Sequence, residues 1–146
     1  MNDVASWRKI LQIVGVISAI VYAVFVVLGI AVAASLIDPD FILEAMGIDG
    51  VLQGAEASMF MAIAGTVITV FYGFQLVAAI AVLRGLKNPS KMKLGIVLYA
   101  IVAVFTTINF IASIASGGDS ASLAASLLVD AACMLWGSIV VYRDAK

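Results

Sequence analysis

The chain has 146 residues, 64% of them hydrophobic and 12% charged, with a net charge of −1 and a mean hydropathy of +1.19. A soluble domain averages about 25% charged and 45–50% apolar residues, so a water-soluble fold of this size has more apolar surface than it can hide, and lipid is the solvent the composition calls for. Eight scattered basic residues argue against a nucleic-acid surface, and the absence of histidine beside a single cysteine, Cys133, removes His-based catalysis, the common zinc sites and any intrachain disulfide.

The first apolar span runs roughly from Ile10 to Leu36, preceded by Arg8 and Lys9. It exceeds the roughly 7–15-residue core of a signal peptide, so Ala31-Val32-Ala33 is read as part of a retained span and not as a cleavage site. The following connection carries its own helix signals. Asp38 suits a cap, Pro39 the first position and Gly47 the stop. Between them Phe41, Ile42, Ala45 and Met46 form an apolar surface beside Asp40 and Glu44. A short helix on the outer membrane surface or across the bundle mouth is expected; a loop packed on helix ends is the alternative.

The second span runs roughly from Ala57 to Leu83, the third from Leu94 to Ser116 and the fourth from Ala121 to Tyr142. Each exceeds the ~20 residues that cross about 30 Å of hydrocarbon, and backbone groups in lipid must pair within their own segment, which makes these spans helices. Asn88-Pro89-Ser90 breaks the chain between the second and third. Gly117-Gly118-Asp119-Ser120 reads as a tight turn that makes the third and fourth antiparallel neighbours. The expected fold is an all-α membrane protein: a four-transmembrane-helix bundle with antiparallel neighbours and a short interfacial helix in the first extracytoplasmic loop, one integral domain over residues 1–146.

Charge sets the orientation. Arg8, Lys9, Arg84, Lys87, Lys91, Lys93, Arg143 and Lys146 all fall on one side of the spans, with only Asp3 and Asp144 beside them. Asp38, Asp40, Glu44, Asp49, Glu56 and Asp119 occupy the other side. The positive-inside rule then puts both termini in the cytoplasm, in a plasma or inner membrane, with Trp7 and Tyr142 at the interface. A faint tandem repeat accompanies this pattern: Ala23-Val24-Phe25 matches Ala103-Val104-Phe105, and Arg84 and Lys87 match Arg143 and Lys146. A parallel duplication and chance similarity between apolar helices both account for it.

Asp130 is the main candidate functional residue. A mid-span Asp costs about 2.5–3.5 kcal/mol on insertion scales, so something should offset that cost or use it. Ser122, Ser126, Asp130, Cys133 and Gly137 form one small, polar stripe; Thr106, Asn109, Ser113 and Ser116 form another on the third helix. Counted from the tight turn at about 1.5 Å per residue, Asp130, Asn109 and Thr106 share a depth within roughly 5 Å. The expectation is a hydrogen bond from Asn109 or Thr106 to Asp130, with Ser126 and Ser113 completing an intramembrane polar cluster. Such a cluster acts either as interhelical glue or as part of a proton or cation pathway. Gln75 either extends that path or faces the surface.

Gly65, Thr69 and Gly73 on the second helix, and Gly15, Ala19 and Ala23 on the first, repeat small residues every four positions. They are expected to let helices approach closely, within the bundle or between copies. No phosphate loop or nucleophile motif occurs, the outer acids do not match a calcium loop, and no metal or cofactor is expected. The chain therefore reads as a non-enzymatic protein acting by helix association, as an accessory subunit or homo-oligomer. Its partners would be the bilayer and either itself or another membrane protein. The rival reading is a small proton- or cation-linked transporter or channel built on Asp130.

Overall fold

The computed structural model describes residues 2–34, 38–45, 55–117 and 121–145. These form helices α1 (Asn2–Ala33), α2 (Pro39–Ala45), α3 (Ala55–Lys87), α4 (Met92–Ala115) and α5 (Ala121–Asp144), with a 3-10 turn at Pro89–Lys91. Among the described residues there is no strand. Four helices are long and apolar enough to cross a membrane: Val4–Ala33, Glu56–Lys87, Pro89–Ala115 and Ala121–Asp144. At most 33% of the residues in the most apolar stretch of each are buried within the protein. Ile and Val side chains such as Ile13, Ile20, Val27, Val70, Val97, Ile108 and Ile111 point outward, and water is a poor solvent for so continuous an apolar surface.

The helix boundaries follow local chemistry. α1 and α3 run past their apolar cores into the basic segments, because Arg and Lys are good helix formers and the hydrogen-bond ladder continues beyond the greasy stretch. Asn88 then leaves the helical region, with φ −134° and ψ 98°, and its side chain accepts from the Ser90 amide and hydroxyl at 3.3 and 2.7 Å. With Pro89 at the first position, this starts the 3-10 turn that leads into α4. α4 stops at Gly117, whose φ of +110° is a conformation L side chains rarely adopt. The rest of the expected tight turn, Gly118 to Ser120, lies outside the described residues. So do Met46, Gly47 and Asp49 of the first outer connection. Within that connection Asp38 Oδ1 accepts from the Asp40 amide at 3.0 Å and Pro39 opens α2, as the capping signals require.

The chain divides into two compact units, Met1–Ala19 with Gln75–Lys146, and Ile20–Phe74. The first packs segments of α1, α3, α4 and α5 around Leu11, Ala78, Val82, Met92, Tyr99, Val102, Ala131, Met134 and Val141. Arg8 Nη1 donates to the Leu86 carbonyl at 3.1 Å, meeting one of the orphan acceptors at the end of α3. In the second unit, Leu43 of α2 is buried against Ala57 and Met61 of α3, with Val32 beside them. Here the backbones of α1 and α3 nearly touch at Gly65, where a Cβ would overlap the Ala33 amide nitrogen and come within 2.6 Å of the Gly29 carbonyl oxygen. Tyr72 stacks on Phe25 at 4.6 Å and sits 5.9 Å from Tyr22, closing the same interface with aromatic contacts.

Candidate functional site

The first unit brings α1 and α5 together at glycines, and that approach builds the site. At Gly137 a Cβ would lie 2.7 Å from Trp7 Cε3 and 2.8 Å from Leu11 Cδ2; at Gly15 it would lie 3.4 Å from Met134 Cε. One turn further along both helices, the hydroxyl of buried Ser18 donates to Asp130 Oδ1 at 3.0 Å. Asp130 is half-buried. A hydrogen bond to a carboxylate is stronger than one between neutral groups, which makes Ser18 the polar clasp of this helix pair.

On the third span, the bonds described for Thr106 and Ser113 run within their own helix. Thr106 is buried, and its hydroxyl donates to the carbonyls of Val102 at 2.9 Å and Ala103 at 3.1 Å. Asn109 is exposed. Ser113 donates to the Asn109 carbonyl at 2.8 Å and Ser126 to the Ser122 carbonyl at 3.0 Å. The serines and threonines thus back-bond within their own helices, an arrangement apolar surroundings favour. The bond described for Asp130 comes from α1, which a depth count between the third and fourth spans does not reach. Ser18 carries only a weak signal in the sequence, a hydroxyl one turn after Gly15.

Two further side chains lie near the carboxyl. Tyr99 and Cys133 lie within Coulombic reach of Asp130. Tyr99 is 0% exposed and Gln75, in the same unit, 1% exposed; neither the Tyr99 hydroxyl nor Gln75 Nε2 has a hydrogen-bond partner among the described residues. The surface-facing alternative for Gln75 is thereby corrected: it lies on a buried stretch of α3 with Ala78 and Ala79. On its open side Asp130 lines a groove of about 510 Å³ with Val14, Ala125, Ser126, Val129 and Cys133.

The small-residue stripes are largely spent inside the units. Gly15 packs against Leu83 and Met134, and Gly65 against Gly29 and Ala33. Thr69 donates to the Gly65 carbonyl at 2.7 Å, and a Cβ on Gly29 would sit 2.5 Å from its Oγ1. Ala19 and Ala23 are half-buried, and Gly73 meets only Val26 Cγ2, at 3.9 Å. The outer acids Asp38, Asp40, Glu44 and Glu56 are exposed. Among the described residues no three His, Cys, Asp or Glu side chains converge. No family model, curated protein or solved structure matches the chain.

Proposed function

We propose that the chain is an integral membrane protein of four spans, with both termini cytoplasmic, and that it acts by helix association through the Asp130 face of α5. The carrying observation is the groove itself: a half-buried carboxyl beside Ala125, Ser126 and Cys133, on helices whose outward side chains are mainly Ile, Val and Leu. Facing lipid, such a carboxyl is expensive, and small neighbours let another helix come close enough to shield it. A homo-oligomer or an accessory subunit bound to a larger membrane protein satisfies the same physics. The contacts Leu11–Gly137, Gly15–Met134 and Ser18–Asp130 descend α5 as they climb α1, which supports antiparallel neighbours. Arg8 on Leu86, and Met92 and Val141 in one core, support basic segments gathered at one end, as positive-inside insertion requires. Leu43, packed on α3, supports α2 as a helix docked on span ends.

The native Cys133 lines the groove and supplies the test. In proteoliposomes, oxidative crosslinking through Cys133 should yield a dimer that Ser126→Trp abolishes. A monomer at every protein-to-lipid ratio, together with unchanged co-purifying partners for Ser126→Trp taken from native membranes, would sink the association reading.

A second reading, a proton or cation conduit, is favoured by the buried Gln75 amide and Tyr99 hydroxyl. Buried polar groups without protein partners are commonly served by water, and water near Asp130 would make a conduction path. Infrared difference spectroscopy against Asp130→Asn separates the two. A carboxyl band that titrates with outside pH and exchanges with solvent supports the conduit; an invariant band supports association.

A further inference from the structure

The segment joining α3 to α4 concentrates four cations, Arg84, Lys87, Lys91 and Lys93, and the chain has no acid between Glu56 and Asp119. This positive charge is not balanced by neighbours in sequence. Chain reversal at Asn88 brings Arg84, from the last turn of α3, and Lys91, from the 3-10 turn, onto one groove of about 560 Å³. Both side chains are exposed. Ser90 lines the same end, and its two bonds to Asn88 Oδ1 hold the turn in shape.

The remainder of the groove is apolar. Val77 and Ile80 from α3 and Leu94 from α4 line it, all three exposed. Val77 and Arg84 are two helical turns apart on one face, so the apolar floor extends roughly 10 Å from the guanidinium. A forked guanidinium and a point-charge ammonium suit a phosphate's oxygens; a greasy trough of that length suits the first part of an acyl chain.

We propose that this groove binds one anionic phospholipid, its phosphodiester held between Arg84 and Lys91 and an acyl chain laid along Val77, Ile80 and Leu94. The charge complementarity is local, and it joins polar and apolar recognition in one groove. This site is distinct from the Asp130 face, and its occupancy does not depend on how that face is used.

Native mass spectrometry of the detergent-solubilised protein tests it, with phosphatidylglycerol and phosphatidylcholine of identical chains as probes. One phosphatidylglycerol should bind in preference to phosphatidylcholine by about fivefold per cation, hence about 25-fold for two. Arg84→Ala with Lys91→Ala should remove the preference. Lys9→Ala with Lys93→Ala, an equal loss of charge outside the groove, should retain it. Ile80→Trp should weaken both lipids by filling the trough, and excess inorganic phosphate should not displace the lipid. Equal losses in the two double variants would assign the preference to diffuse charge and overturn the proposal. Displacement by phosphate with no effect of Ile80→Trp would overturn it in favour of a simple anion site, as would equal binding of the two lipids.

Discussion

Gly65→Ala tests the closest helix approach among the described glycines. The new Cβ would overlap the Ala33 amide nitrogen, with the Gly29 oxygen at 2.6 Å and Ala33 Cα at 2.7 Å. All three are backbone atoms, so no rotamer change relieves the clash. Ordinary contact begins near 3.4 Å, so α1 and α3 must separate locally by about 1 Å to clear the Ala33 nitrogen. Overpacking costs about 1–3 kcal/mol, and rigid atoms on both sides place this case near 3. The gain in helix propensity from Gly to Ala returns about 1 kcal/mol, leaving a net loss of about 2. Gly73→Ala is the matched control, eight residues along α3. Its nearest neighbour is Val26 Cγ2 at 3.9 Å, so only the propensity gain remains, a stabilisation of about 0.5–1 kcal/mol. The two variants should therefore differ by roughly 3 kcal/mol, more than a hundredfold in the unfolding equilibrium. Reversible unfolding in bicelles, by steric trapping or SDS titration, measures this directly. Changes of the same sign and size in both variants would refute the close-approach argument.

Ser18→Ala should cost about 0.6–2 kcal/mol in the same assay, the range for an interhelical hydrogen bond in a membrane, while Ser126→Ala, which loses only a back-bond to Ser122, should cost less. Asn88→Ala should cost about 1 kcal/mol, because the Ser90 amide loses its cap. Gly137→Ala should be milder than Gly65→Ala, at about 1 kcal/mol, since the opposing atoms belong to the Trp7 and Leu11 side chains and can move. Tyr99→Phe should raise stability by about 1 kcal/mol if the core around Asp130 is dry; a loss of similar size would identify a hydrated core and favour conduction.

The identity of this site could be read only in part from the chain. Asp130 stood out because a lone acid in an apolar stretch is costly wherever it lies. Its clasp did not, because Ser18 is 112 positions away and resembles any other helical serine. The glycine stripes were legible as surfaces of close approach. That Gly15 would meet Leu83 and Met134, and Gly65 would meet Ala33, depended on which helix packed beside which. The groove holding Arg84 and Lys91 likewise needed the Asn88 turn to set two cations beside Val77 and Leu94.

What the sequence determined by itself is what each segment decides locally: four apolar helices, a capped short helix after Asp38, the break at Asn88 and the separation of charge between the two sets of connections. These follow from hydropathy, capping and proline chemistry acting over a few residues. The tertiary structure alone decided which face of each helix meets which neighbour. Depth along a helix can be counted at about 1.5 Å per residue, but direction turns by about 100° per residue and is set by packing partners far away in the chain. Ser18 on α1 thus donates to Asp130 from 112 positions away, a pairing that no count of depth along one helix gives.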